Sequence, residues 1–117
     1  MLKDMIHFYR VESLDAVRAF YGDILGFRLD KDQTQCLIYD AKGTGKIGFC
    51  LHFPKAPVNQ SCITLVYESK AAVDDMYQHM LAHGFKPEQP SVNDAFGIYH
   101  FFMRDPNRLL VECQVFL

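Results

Sequence analysis

Phe20-Tyr21-Gly22-Asp23-Ile24-Leu25-Gly26-Phe27 decides the fold, together with its echo Tyr77-Gln78-His79-Met80-Leu81-Ala82-His83-Gly84-Phe85. Each stretch closes a segment whose apolar residues recur at helical spacing. In the first these are Leu14, Val17, Phe20, Tyr21, Ile24 and Leu25; in the second they are Val73, Met76, Tyr77, Met80 and Leu81. Each then ends on Gly-Phe, and glycine takes the left-handed conformation that stops a helix without a Cβ penalty. Ser13 is placed to cap the start of the first helix.

The flanking residues read as strands. Residues 5–11 and 62–67 are rich in branched and aromatic side chains and precede the two helices. A strand begins at Phe27-Arg28-Leu29, and others follow at 35–39 and 46–53. In the second half Pro87 and Pro90 mark an edge or loop, strands cover 98–103 and 109–116, and Asp105-Pro106-Asn107 turns between them. Pro54 to Gln60, with Pro57 inside it, reads as a linker.

Each half is therefore strand, helix, Gly-Phe, strands. Glu12 falls against Glu68, Phe20 against Tyr77, and Gly26-Phe27 against Gly84-Phe85. Such an internal duplication predicts an α+β chain of two related modules, about 1–55 and about 60–117, forming a single domain. Two similar halves suggest sheets that share a cleft, where ligands favour binding.

Composition bounds the function. The chain has 117 residues, half of them hydrophobic and 22% charged, with a formal net charge of −2. No basic block or face stands out, which argues against a nucleic-acid partner or a polybasic membrane patch. No apolar run reaches the length of a membrane span, and the N-terminus lacks the apolar core of a signal peptide. The cysteines Cys36, Cys50, Cys62 and Cys113 form no C-x-x-C pair and sit in apolar stretches. They read as free, buried thiols, and a reducing cytoplasmic setting is expected.

At this point the residues resemble a known group. The run from Phe20 to Phe27 looks like the helix-end signature of the vicinal oxygen chelate superfamily. Phe101-Phe102-Met103-Arg104-Asp105-Pro106-Asn107, ending at Leu110-Val111-Glu112, resembles its closing motif. The superfamily includes glyoxalase I, extradiol dioxygenases, fosfomycin-resistance thiol transferases and bleomycin-binding proteins. The resemblance covers essentially the whole chain as two βαβββ modules. It implies a cupped mixed sheet, a homodimer, and a small ligand in the cup.

Active members are expected to hold a divalent metal such as zinc, nickel, iron or manganese. The resemblance draws the ligands from the first strand of each module and from the glutamate after the Asp-Pro turn, here Glu112. A metal with few protein ligands keeps open positions for two neighbouring substrate oxygens. This sequence departs from that pattern. Alignment puts Ile6 at the first ligand position, with His7 beside it on the other strand face unless a bulge intervenes. In the second module the position falls on Cys62.

The candidate site residues follow. Glu112 is the candidate catalytic residue and metal ligand, with His7 and Cys62 as further metal candidates. His100 and Phe102 alternate on one face of strand 98–103 and are candidate substrate contacts. His52, Cys50 and Tyr9 join them, since the internal repeat sets Cys50 against Glu112 and His52 against Gln114. His79 and His83 stand at i, i+4 on a helix, where a solvated face is the simpler reading. Lys42-Gly43-Thr44-Gly45-Lys46 lacks the full phosphate-loop pattern and reads as a hairpin turn. Two functions are compatible with these residues. One is a metal-dependent enzyme of the lactoylglutathione lyase or extradiol dioxygenase kind. The other is a metal-free protein that binds or sequesters a small molecule or antibiotic against aromatic side chains, Tyr9, Phe49, Tyr99 or Phe102 among them.

Overall fold

A computed structural model describes residues 4–51 and 62–117. His52 and the whole of the expected linker, Pro54 to Gln60, lie outside the described residues. The chain divides into two compact units, Met1–Val58 and Asn59–Leu117.

The first unit is a four-stranded mixed sheet in the order β1-β4-β3-β2. Its strands are β1 (Ile6–Arg10), β2 (Arg28–Asp32), β3 (Cys36–Asp40) and β4 (Lys46–Cys50). β1 runs parallel to β4, and the other pairs are antiparallel. Between β1 and β2 lies α1 (Leu14–Val17), whose Ser13 hydroxyl accepts from the Ala16 amide. It continues as a π-helix over Arg18–Ile24, and the Leu25 amide donates to the Phe20 carbonyl five residues back. This wider turn accompanies the complete burial of two consecutive aromatics, Phe20 and Tyr21. Tyr21 packs on Phe49 of β4 with ring centroids 4.4 Å apart. One face of the sheet, carrying Leu37, Tyr39 and Phe49, therefore meets the helix, and the alternate residues form the opposite face.

The second unit repeats the plan. Its sheet has the order β5-β8-β7-β6, with β5 (Cys62–Val66) parallel to β8 (Leu110–Phe116). β6 (Ser91–Asn93) and β7 (Ile98–Arg104) complete it in antiparallel fashion. The helix α2 (Lys70–Ala82) is capped by the Ser69 hydroxyl and buries Val73 and Met80. Tyr77 packs edge-on to Phe101 of β7 with centroids 5.6 Å apart. Phe101, Val111 and Cys113 thus face the helix, and His100, Phe102, Glu112 and Gln114 face away from it. Gly26 and Gly84 follow the helices at φ +72° and +84°, the conformation that explains why both halves carry glycine there.

The cysteines need a correction. Cys36 and Cys50 are not free thiols but form a disulfide between β3 and β4, with Cα atoms 4.2 Å apart. They sit directly opposite each other. The Leu51 amide donates to the Gln35 carbonyl just outside them, so the pair is non-hydrogen-bonded, the closer of the two antiparallel arrangements. With this pair bridged, the cysteines no longer point to a reducing compartment. Cys62 and Cys113 are the free cysteines among the described residues. No helix of the described residues is long and apolar enough to cross a membrane.

Candidate ligand-binding site

The helix-free face of the second sheet gathers a polar network around Glu112. Parallel pairing sets Thr64 of β5 opposite Glu112, and antiparallel pairing sets His100 of β7 opposite Gln114. The Thr64 hydroxyl donates to Glu112 Oε1 at 2.9 Å. His100 Nδ1 lies 2.6 Å from Glu112 Oε2. With its amide nitrogen turned toward the carboxylate, Gln114 donates to Oε1 at 3.2 Å and Oε2 at 3.3 Å. A carboxylate in a strand flanked by apolar residues is costly to bury alone; here three neighbours satisfy it. The side chains of His100 and Glu112 are only 13% and 11% exposed, so the pair is screened far less than a surface ion pair.

A cavity of about 380 Å³ opens over this network, within the range of small-molecule sites. His100, Glu112 and Gln114 line it with Asn93, Ile98, Phe96, Phe102 and Phe116. The Phe102 ring stands edge-on to His100 with centroids 5.0 Å apart. Polar groups are thus clustered at one place and apolar walls surround them. All of these residues belong to the second unit.

Within the second unit the structure brings together Glu112, His100 and Phe102 from among the expected site residues, with Cys62 on the same sheet face. His7 pairs with Ile47 in an unbroken register, so no bulge turns it. It is exposed, on the same sheet face as Tyr9 and Phe49. Tyr9 stacks on Phe49 at 6.2 Å, on the helix side. Tyr99 also faces its helix, where its hydroxyl donates to Asp74 at 2.5 Å and Lys70 lies over its ring. Cys50 is fully buried in its disulfide and presents no thiol. His79 and His83 lie at the end of α2, where His83 Nδ1 sits 2.9 Å from the His79 carbonyl.

Strand register also corrects the internal alignment. Carrying the match of Glu12 with Glu68 back along the first strands pairs Phe8 with Thr64. Phe8 sits opposite Gly48, and Thr64 sits opposite Glu112. The counterpart of Glu112 is therefore Gly48, and Cys50 matches Gln114. Thr64 escaped the sequence reading for the same reason. Its role depends on which residue of β8 lies opposite, and an exposed-looking threonine in a strand carries no signal of that.

Among the described residues the donor set does not fit a divalent metal. Ile6 has no ligating atom, and His7 points to the other face. Cys62 faces the same side as Glu112, but burial raises its thiol above the ordinary range, which disfavours the thiolate a metal needs. Its sulfur lies 3.8 Å from the Thr64 hydroxyl. Glu112 already meets three protein partners. Among the described residues no group of three His, Cys, Asp or Glu side chains is arranged to hold a metal ion.

The comparisons with known proteins agree with this fold. The family model described as Glyoxalase/Bleomycin resistance protein/Dioxygenase superfamily matches residues 5–113. A lactoylglutathione lyase from Agrobacterium tumefaciens superposes with a TM-score of 0.79 at 22% identity, over 97% of this chain and 92% of that one. A glyoxalase/bleomycin resistance protein/dioxygenase family enzyme from Burkholderia phytofirmans PsJN gives 0.80 at 20% identity, over 96% and 97%. A possible glyoxalase from Bacillus cereus gives 0.77 at 17%, over 97% and 98%. At these identities the likeness is one of fold. No curated protein matches the sequence.

Proposed function

The chain belongs to the Glyoxalase/Bleomycin resistance protein/Dioxygenase superfamily, and within it we propose a protein that binds a small, flat, largely apolar molecule without a metal. The observation that supports this most is the saturation of Glu112 by Thr64, His100 and Gln114 beneath a cavity walled by Ile98, Phe102 and Phe116. A carboxylate recruited as a metal ligand has lone pairs to offer; this one is tied into the sheet. Aromatic walls with a few convergent polar groups suit a binding pocket.

Members of this superfamily commonly bind small molecules and form dimers, and we carry the homodimer into this reading. Phe96, Phe116 and Leu117 are strongly exposed beside the cavity, an apolar surface of the kind that a second copy covers. The lyase or dioxygenase alternative needs a donor set that these residues do not supply.

The test is binding of a panel of bicyclic aromatic compounds, followed by NMR with and without EDTA. Binding should be the same in both, with shifts at Ile98, Phe102 and Phe116. Loss of binding in EDTA, with recovery on adding one particular ion, would reverse the assignment in favour of a metal enzyme.

A further inference from the structure

We infer that His100 in its neutral form selects ligands presenting an N–H or O–H donor, and that Glu112 is the positioning residue that imposes this choice. The inference rests on the ligand-binding reading of the same cavity and names what that cavity recognises.

An ionised carboxylate only accepts hydrogen bonds. Glu112 accepts from the Thr64 hydroxyl and the Gln114 amide. The proton in its 2.6 Å contact with His100 therefore sits on Nδ1 of the imidazole. A neutral ring with its proton on Nδ1 carries a lone pair on Nε2, which becomes an acceptor. The tautomer is thus set by the bond that the other nitrogen makes. Nε2 has no hydrogen-bond partner among the described residues. His100 lines the cavity with Ile98, Phe102 and Phe116, which offer no donor side chain, and with Asn93 and Gln114, whose amides are engaged within the protein: the Asn93 oxygen accepts from the Phe96 amide and the Gln114 nitrogen donates to Glu112.

A mostly apolar chamber with an imidazole acceptor among its few polar groups discriminates by polarity. A flat ligand with an N–H or O–H at its edge satisfies Nε2. A ligand of the same shape that only accepts leaves that lone pair desolvated and unpaired, and such a loss is felt strongly. Replacing Glu112 by glutamine changes the sign. The glutamine amide can donate to Nδ1, which moves the ring proton to Nε2 and turns the acceptor into a donor.

Indole and benzofuran test this, since they share one two-ring shape and differ in N–H against ring oxygen. Both are titrated into 15N-labelled protein in mildly alkaline buffer, following amide shifts of Ile98, Phe102 and Phe116. The parent protein is expected to bind indole about tenfold more tightly. Glu112→Gln should erase or invert the preference, and His100→Phe should erase it while retaining an aromatic wall. A variant that fails to fold is recognised from its amide spectrum, and the parent's own preference then decides. Equal affinity of the parent for the two compounds overturns the inference and leaves the pocket standing. Failure of both compounds to shift these residues sinks the pocket reading and this inference with it.

Discussion

The two units share one plan and spend the same positions differently. Where the second unit has Thr64, Glu112, His100 and Gln114, the first has Phe8, Gly48, Cys36 and Cys50. A cross-strand disulfide stands where His100 faces Gln114. An aromatic ring lies over a glycine where Thr64 donates to Glu112; a Cβ on Gly48 would overlap the Phe8 ring. One helix-free face is therefore locked by covalent and apolar contacts, and the other is kept polar beneath a cavity. The same fold supplies rigidity in one copy and recognition in the other, and the choice rests on four strand positions.

Removing the disulfide should give the largest effect. It joins residues separated by 14 positions, so Cys36→Ser with Cys50→Ser is expected to cost about 3 kcal/mol. Urea unfolding with and without reductant checks this; a parent protein indifferent to reductant would contradict the bridge. The free thiols should remain inert by contrast. Burial pushes Cys113 up to about 12 and raises Cys62 as well, so native alkylation should be slow at both.

Gly48→Ala should come next, at about 2 kcal/mol from overpacking against Phe8. The diagnostic is coupling: Phe8→Ala, at a half-exposed position, should restore most of that loss in the double variant. Additive losses would mean the two residues do not share the space. Thr64→Val follows on the polar side. It deletes one donor to the buried carboxylate and should cost about 1.5 kcal/mol while weakening ligand binding. The same stability loss with ligand affinity intact would separate Thr64 from the site.

The smallest effect is electrostatic and confined to the first unit. The Gly43 amide, then Arg28, hold Asp40 below its usual range, and the Thr34 amide, then Arg18, do the same for Asp32. A depressed carboxyl stabilises the fold above its unfolded value, about 3.9. That stabilisation is lost as pH falls through the lower folded value. Both groups are on the surface, so the effect is modest. Asp40→Asn should move the acid-unfolding midpoint, followed by circular dichroism, slightly upward. An unmoved midpoint would remove Asp40 from the account.

Much of this architecture is legible in the residues. Helical periodicity, Ser13 and the paired Gly-Phe steps place both helices, and branched and aromatic runs place the strands. Glu112, His100 and Phe102 could be assigned to one site because β7 and β8 alternate cleanly. What escaped detection depends on pairing between strands. No local pattern says that Cys36 faces Cys50, that Thr64 faces Glu112, or that Gly48 occupies the place of Glu112 in the first unit. A slip of two residues in the repeat keeps the face and exchanges the partner, so Cys50 took the role that register gives to Gly48. Tyr9, His7 and Tyr99 illustrate the other limit: a strand residue has only two sides, and the helix claims one.

The central claim is that Glu112 serves the protein's own hydrogen-bond network rather than a metal. Metal content by mass spectrometry, on untagged protein purified without chelator and beside Glu112→Ala, tests it most directly. The account predicts substoichiometric metal in both proteins, unchanged by the substitution. One equivalent of a single metal in the parent, lost in Glu112→Ala, would contradict it.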